Sequence, residues 1–405
     1  MSAKSTIAIV GSGFGGFTLA HELSLAKYDV VVISPMRTIQ YTPLLASAAA
    51  GMFNFRLAED PVRRRNRLPG LQYYKASVCD IDFSGKTLRC TPAVPDIADN
   101  ELSGDKHAFT VTYDTLVLAP GCTVETFGTP GADEHAIFLR TTDDARRVQK
   151  RLLEMVDAAS LPGLTPAQQR DMLRVIVVGG GAIGIEATAE LYDLWHHDLR
   201  FLYPHLDVEG ENGLLAIEVH DVAPGILGNF DSRLAEYALQ KLQRRGVRVE
   251  TGSHITRLED GAMYTKERGG DNNPLRYGML IWATGNGVNP LVGKLDVKKA
   301  GRMQRIVTDR KLRVQQSTPP QGGGGDDAVM PDVYALGDCA DIEGYSLPML
   351  AEVAVQQAKY LAKQLNARGE RGEQADEGFT YQQRPNLAYL GEHDGVAAGD
   401  DVRNA

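Results

Sequence analysis

The chain of 405 residues carries 43 Lys and Arg against 52 Asp and Glu, a formal net charge of −9, so it lacks the cationic surplus by which a general nucleic-acid binder neutralises phosphate. Its hydrophobic share of 43% and charged share of 23% suit a soluble globular protein of two or three domains, and no run of about 18 apolar residues offers a membrane span. Four cysteines, Cys79, Cys90, Cys122 and Cys339, make no CxxC or other metal-ligand spacing, which argues against zinc and iron–sulfur sites, predicts no bound metal and suits a reducing compartment.

In chain order, residues 6–10 read as a short buried strand. The glycine-rich turn "GSGFGG" follows, then a helix expected to run to about Ala26, then the strand "DVVVIS" ending at Ser34. This is an opening βαβ unit. A first strand so near the amino terminus leaves no room for a signal or transit peptide. The basic run "RRRNR" (63–67) could touch phospholipid headgroups or form a solvated helix face. "ASVCDIDF" and "KTLRC" predict paired strands, residues 92–107 a polar surface loop, and "YDTLVLAPG" a buried strand ending in a tight turn at Gly121. A helix is expected over 141–156, and "SLPGLTPAQQRDML" reads as a loop or short helix.

A second βαβ unit begins at Arg174. Its "VIVVGGGAIGIEATAEL" repeats the earlier "IAIVGSGFGGFTLAHEL", with Gly179, Gly181 and Gly184 in register with Gly11, Gly13 and Gly16. "LAIEVHD" supplies its second strand, ending at Asp221, and "SRLAEYALQKLQRRG" an amphipathic helix stopped at Gly246. "YGMLIWATG" mirrors "YDTLVLAPG" and closes at Gly285, so the repeat extends beyond the glycine turn. Residues 316–330, with four consecutive glycines, predict a flexible insertion. "DVYALGDCAD" predicts a strand ending in a turn at Asp338, and a long helix is expected over 348–365 with Ala351, Ala354, Val355, Ala358, Leu361 and Ala362 facing inward. A charged linker covers 368–377, and the final 14 residues, after Gly391, form an acidic tail with no apolar face.

Each glycine turn follows an apolar strand and opens a helix, the context in which GxGxxG carries meaning. Gly11 and Gly179 allow the tight turn, Gly13 and Gly181 let backbone approach a pyrophosphate, and Gly16 and Gly184 let helix pack on strand. The helix N–H groups then hold the pyrophosphate charge. A packing turn without ligand is the alternative for either copy. Two fingerprints imply two dinucleotides, and FAD with NAD(P)H is the economical pair because one gives the hydride that the other accepts. Asp338 supports FAD in the first copy, since its carboxylate can accept from ribityl hydroxyls, although it could also cap a helix. Asp221 can accept both ribose hydroxyls of NADH and repel a 2′-phosphate, or it is a solvated acid at a strand end. No CxxxxC follows the first turn, which disfavours a disulfide reductase, and His196 and His197 read as surface residues.

With "IVGSGFGG", "VISP", "YTPLLAS", "FGTPGADEHAIFLR", "SLPGL", "VVGGGAIGIEATAEL", "LYPHL", "IWATG", "YALGDCAD", "LPMLAEVAVQQAKYLAKQLN" and "NLAYLG" in order over nearly the whole chain, the sequence resembles the type II NADH:quinone oxidoreductases, or alternative NADH dehydrogenases, in their fungal and plant mitochondrial forms. The resemblance implies an α/β fold of two Rossmann-like dinucleotide-binding domains, as in glutathione reductase, with the NADH domain inserted in the FAD domain. The FAD domain would span 1–140 and 291–378, the NADH domain 141–290, and a short carboxyl-terminal segment 379–405. It implies non-covalent FAD, NADH as co-substrate, electron transfer to a quinone without proton pumping, and a peripheral position on the mitochondrial inner membrane. A soluble cytoplasmic protein is the alternative location, and a homodimer is left open.

Carried over by motif, Gly11, Gly13, Phe14, Gly15, Gly16, Ser34, Gly121 and Asp338 would hold FAD, with Thr42 and Pro43 beside the flavin ring, where a plain turn would also explain Pro43. Gly179, Gly181, Gly184, Asp221 and Gly285 would hold NADH. Glu186, which occupies the place of Thr18 in the first copy, would orient the nicotinamide carboxamide and assist proton delivery to the quinone; otherwise it merely favours the helix amino terminus. Glu352 and Gln356, four apart on one helix face, fall where the family usually has two glutamines at the quinone end. They could equally be a solvent-facing pair. Three departures stand out: Met36 where an Arg usually follows Ser-Pro, Glu352 in place of an amide, and an acidic tail where the family continues with amphipathic helices that lie on the membrane. The rival readings are a related reductase with oxygen or a protective ubiquinone pool as acceptor, a sulfide:quinone reductase, which needs paired redox cysteines, and an FAD/NADH-binding redox sensor of low turnover.

Overall fold

The computed structural model describes residues 4–63, 70–94, 107–206, 215–269, 273–317, 328–368 and 378–399. The expected loop, insertion and linker, and most of the basic run 63–67, lie largely outside them. Contacts divide the chain into two compact units. One holds Met1–Ile39, Asp60–Thr123 and Asn286–Gln382; the other holds Gln40–Glu59, Val124–Gly285 and Gln383–Ala405. These divisions differ from the boundaries at 140 and 290, and they set 40–59 and the carboxyl-terminal stretch with the second unit.

In the first unit, parallel strands run in the order Val329–Ala335, Thr115–Leu118, Ser5–Val10, Tyr28–Ser34 and Leu71–Asp82. Ile7 pairs with Val30 on one side and Thr115 on the other. The central strands are apolar on both faces, as strands covered on both sides must be. The far half of Leu71–Asp82 turns antiparallel to Thr87–Pro92, the expected pairing. The glycine-turn helix Phe14–Glu22 ends four residues short of Ala26, because Asn366 takes the Ser24 N–H through its side-chain oxygen and returns a hydrogen bond to the Glu22 carbonyl. The long late helix is Ala351–Ala367. Of the six residues expected to face inward, Ala354, Ala358, Leu361 and Ala362 are buried; Val353 and Gln357 join them, whereas Ala351 and Val355 are half-buried.

In the second unit, five parallel strands run in the order Ile137–Phe138, Met279–Trp282, Arg174–Val178, Ala216–Asp221 and Arg248–Thr251. The helix Thr142–Ala159 starts at a capping box in which Thr141 and Asp144 each accept the other's backbone N–H, an arrangement worth about 1 kcal/mol. "TPAQQRDM" forms a short helix, Pro166–Met172, capped in the same way by Thr165 and Gln168. Leu45–Ala49 packs on Thr142–Ala159 and on the second glycine-turn helix, Ala182–Leu194. The tail expected to lack an apolar face instead supplies half of a hairpin, Asn386–Gly391 with Asp394–Ala398, and buries Val396 beside Ala388 and Leu390. Two of its acids, Glu392 and Asp394, pair with Arg245 and Lys241 respectively.

The helix-on-strand approach is closest at Gly184, where an added Cβ would lie 1.9 Å from the Gly179 carbonyl oxygen. Backbone must move to admit it. Gly184→Ala should therefore destabilise the fold by about 1–3 kcal/mol or more, seen as a lowered thermal midpoint. Gly181→Ala, whose Cβ would meet no protein atom within 4 Å, should leave the midpoint of the ligand-free chain nearly unchanged.

Candidate functional site

Each unit carries one glycine turn at the carboxyl end of its central strand. In the first, Gly11 has φ +102° and its added Cβ would lie 2.2 Å from the Ala119 carbonyl oxygen, while one on Gly16 would lie 2.1 Å from the Gly11 carbonyl oxygen. Gly15 faces the Leu336 side chain. Gly11 and Gly16 are required by the protein's own backbone packing. Gly13 and Gly121 are different: an added Cβ at either meets no protein atom within 4 Å. At Gly13, the open space lies at the start of Phe14–Glu22, where N–H groups lack helical partners.

Around this turn the sequence-predicted residues take up distinct roles. Ser34 is buried, and its hydroxyl oxygen lies 2.9 Å from Ser12 Oγ and accepts the Met36 N–H at 3.2 Å. Asp338 sits in the turn Gly337–Cys339, half-buried, and accepts the Cys122 thiol at 3.3 Å. The buried Gln357, which the sequence reading missed, braces this turn by accepting the Gly337 N–H at 2.8 Å. Cys339 is sealed in the core, and burial pushes its thiol up to about 12. Its burial leaves it out of contact with solvent.

Beside Ser34 lies a cavity of about 400 Å³ lined by Arg37, Pro61, Arg63, Tyr73, Lys75 and Val94. Tyr73 donates to the Ser34 carbonyl at 3.1 Å and lies under the Arg63 guanidinium, 5.5 Å from the ring centre. Burial raises its hydroxyl above the usual tyrosine range against the pull of Arg37 and Arg63. Three cations, Arg37, Arg63 and Lys75, line an anion-accepting recess. Arg63 begins the basic run, the one sequence signal that could have located it.

In the second unit the turn repeats. Gly179 has φ +116°, Gly184 presses on it, and Gly181 again borders space free of protein atoms. Asp221 ends its strand with both carboxylate oxygens held, Oδ2 by the Gly180 N–H at 2.6 Å and Oδ1 by the Ala223 N–H at 2.8 Å. Gly285, at φ +82°, has its own structural reason, since an added Cβ would lie 2.3 Å from the Glu125 carbonyl oxygen. Thr42 and Pro43 form the turn leading into Leu45–Ala49 and belong by contacts to this unit. His196 is half-buried, with Nδ1 2.9 Å from the Tyr192 carbonyl, and His197 is exposed.

Glu186 lies two residues past Gly184, half-buried, and accepts the Tyr389 N–H at 3.3 Å. Burial pushes its carboxyl up to about 7, the Tyr389 amide opposes this, and Glu190 adds to it. In the first unit, Gln356 donates to Glu352 at 2.8 Å and to the Gln382 carbonyl at 2.9 Å, and its oxygen accepts the Gln382 N–H at 2.9 Å. Both amide hydrogens and the oxygen are thus engaged. Among the described residues no group of three or more His, Cys, Asp and Glu could hold a metal ion, and no helix is long and apolar enough to cross a membrane.

The model of the pyridine nucleotide-disulphide oxidoreductases matches residues 5–358. The chain is 34% identical over 347 residues to the mitochondrial external alternative NAD(P)H-ubiquinone oxidoreductase B1 of Solanum tuberosum, covering 84% of this chain and 56% of that one. It is 33% identical over 395 residues to a probable NADH dehydrogenase of Dictyostelium discoideum, covering 97% and 80%. NDH2 of Plasmodium falciparum, solved in complex with NADH, has the same fold, with a TM-score of 0.83 at 23% identity over 98% of this chain and 90% of that one. The chain belongs to the pyridine nucleotide-disulphide oxidoreductases and, within them, to the type II, or alternative, NADH dehydrogenases. It spans 56% of the length of the potato relative.

Glu186 gives a direct test on the ligand-free protein. Its folded value of about 7 lies above the ordinary 4.5, so the folded chain holds this proton more tightly than the unfolded one. The contribution to stability is intact below pH 4.5 and is lost as pH rises through about 7. Glu186→Gln removes the slope, and relative to the parent it should gain up to about 3 kcal/mol at alkaline pH. Urea unfolding at about pH 5 and about pH 8.5 measures this; parallel curves for the two proteins would refute it.

Proposed function

We propose that this chain is an FAD-dependent oxidoreductase that passes a hydride from NADH to the flavin and electrons on to a quinone, without pumping protons. The observation that carries the reading is the pair of glycine turns whose middle glycines, Gly13 and Gly181, border space that no protein atom fills. Protein packing does not explain glycine at those two places; a pyrophosphate against the backbone does. The residues present fit the cofactor. Gly11, Gly13, Phe14, Gly15 and Gly16 would take the FAD pyrophosphate, Asp338 the ribityl hydroxyls, and Gly121 the approach of backbone to the ring system. Ser34, with Arg37, Arg63, Tyr73 and Lys75 around the neighbouring cavity, would take the adenosine end. Thr42 and Pro43 would flank the flavin ring.

Gly179, Gly181 and Gly184 would hold NADH, with Gly285 shaping the facing turn and Asp221 reading the ribose. Two backbone donors, the Gly180 and Ala223 N–H groups, hold the Asp221 carboxylate in place. FAD, when bound, supplies a two-electron acceptor that can pass its electrons to a quinone. The protein contributes orientation, exclusion of water and a proton. Reduction of a quinone by NADH consumes one proton from water, and Glu186 can hold a proton near neutral pH. At the quinone end the reading places Glu352 and Gln356, where a quinone oxygen would take over one of the bonds that Gln356 makes with Gln382. The mitochondrial relatives support a mitochondrial setting, peripheral to the inner membrane.

The purified chain should be yellow, with one non-covalent FAD, and should oxidise NADH with a soluble quinone as acceptor. NADH should be preferred to NADPH by at least about tenfold in kcat/KM, because like charges at about 4 Å repel by about 4 kcal/mol at an effective dielectric near 20. Asp221→Asn should narrow that gap. Folded protein that stays colourless after incubation with FAD would refute the reading, and binding of both nucleotides without turnover would replace it by a redox sensor.

A further inference from the structure

Glu186 is one of three acids on a single face of Ala182–Leu194, followed by Glu190 and Asp193 at helical spacings of four and three. Two parts of the second unit hold them. Ser47, on Leu45–Ala49, donates to Glu190 at 2.5 Å. The first hairpin strand, Asn386–Gly391, packs along this helix. One residue of it serves two acids: Tyr389 gives its backbone N–H to Glu186 at 3.3 Å and its hydroxyl to Asp193 Oδ2 at 2.9 Å. The Glu392 N–H donates to the same Asp193 oxygen at 2.9 Å. Asp193 is 7% exposed, and its other oxygen, Oδ1, is buried without a hydrogen-bond partner.

The hairpin is fastened from its other side as well. Arg245 bonds the Leu390 carbonyl, pairs with Glu392 at 2.7 Å and lies 5.0 Å from the Tyr192 ring centre. Lys241 and the Tyr237 hydroxyl hold Asp394. The fit leaves no slack at Gly391, where an added Cβ would lie 2.2 Å from Arg245 Nη1 and 3.0 Å from both Asp193 oxygens. The cations of this assembly, Arg245 and Lys241, are thus engaged by hairpin acids, with His393 on the intervening turn. The groups acting on Glu186 itself are Glu190, one turn along its own helix, and the Tyr389 amide.

We propose that Glu190, Asp193 and Tyr389 are positioning residues for Glu186: the hairpin, clamped at Asp193, holds the Glu186 carboxyl through the Tyr389 amide, and Glu190 couples that carboxyl to Ser47. This rests on the reading that Glu186 supplies the proton for quinone reduction. Two buried carboxyls in sequence do not ionise independently, since a charge on one opposes a charge on the other. Burial raises Glu190 too, against the Ser47 hydrogen bond and with a contribution from Asp193. Removing the charge of Glu190 should therefore ease ionisation of Glu186, and releasing the hairpin should do so by admitting water.

The test uses the full FAD-loaded chain, with the pH profile of the quinone half-reaction followed by stopped-flow absorbance. The parent profile should turn near pH 7, and Glu186→Gln should flatten it. Glu190→Gln should move the turning point down by about one unit. Asp193→Ala and Tyr389→Phe should move it down as well, and Asp193→Asn, which keeps an oxygen for the hairpin donors, should return it most of the way to the parent value. A second readout needs no cofactor: Glu190→Gln should lower by a similar amount the pH at which urea-unfolding stability declines. If Glu186→Gln flattens the profile while Glu190→Gln and Tyr389→Phe keep the parent profile in both measurements, the positioning proposal is overturned and the proton-donor reading stands. If Glu186→Gln leaves the profile unchanged, the reading beneath it falls.

Discussion

The constraint on which the rest depends is a hydrogen atom set against a carbonyl oxygen, once in each unit. Gly16 against Gly11 and Gly184 against Gly179 leave 2.1 Å and 1.9 Å where a side chain would begin. Because helix and strand approach so closely, each helix starts directly at the strand's carboxyl end, with its free N–H groups facing the turn. Gly11 and Gly179 reverse the chain there at positive φ, a conformation any other residue would adopt only under strain. The middle glycines are the counterpart. An added Cβ on either would meet no protein atom within 4 Å, so on the proposed reading the packing glycines build the cradle that the unpacked ones keep free.

The second unit also contains two opposite solutions to buried carboxylate charge. Glu218 is 3% exposed, and burial alone would raise it, yet the neighbouring His220 imidazole, 3.7 Å away, and the Arg248 and Arg174 guanidinium groups hold it below its ordinary value. Arg174 reaches it at 2.9 Å. This is a fixed ion pair that ties neighbouring strands and has no titration near neutrality to offer. Glu186 receives one backbone N–H and a like-charged neighbour, and its carboxyl rises to about 7. Cations placed beside one acid and withheld from the other separate a structural carboxylate from one able to exchange protons at working pH.

The glycine turns were legible because the motif is local: strand, turn and helix follow one another within about 20 residues. Asp221 and Asp338 were legible for the same reason, as acids at strand ends, and Glu186 stood out because one copy of the repeat differs from the other. What stayed hidden depends on partners far apart in the chain. Ser47 and Glu190 are separated by 143 positions, and Asp193 and Tyr389 by 196. Nothing in the tail's composition announces that Arg245 and Lys241 will neutralise it, so its acids masked a strand that buries Val396. The cavity at Arg37, Arg63 and Lys75 draws on three segments, and only one of them carries a visible basic run. Gln357 was missed because apolar periodicity locates a helix face by its apolar members and passes over a buried amide.

The two copies also show how one scaffold acquires two roles. Their helices begin in the same register, Phe14 with Ala182, so Thr18 answers to Glu186 and Glu22 to Glu190. In the first copy the helix stops at Glu22, whose side chain is exposed, where Asn366 intervenes. In the second it continues to Leu194, and Leu45–Ala49 and the hairpin cover the corresponding face. The same glutamate is therefore solvated in one copy and buried in the other, and its register partner one turn earlier is a threonine in one and a raised carboxyl in the other. A dinucleotide cradle alone binds and orients. What would let the second copy also hold a proton, on the proposed reading, is the cover laid over its helix, which raises the Glu186 and Glu190 carboxyls by burial.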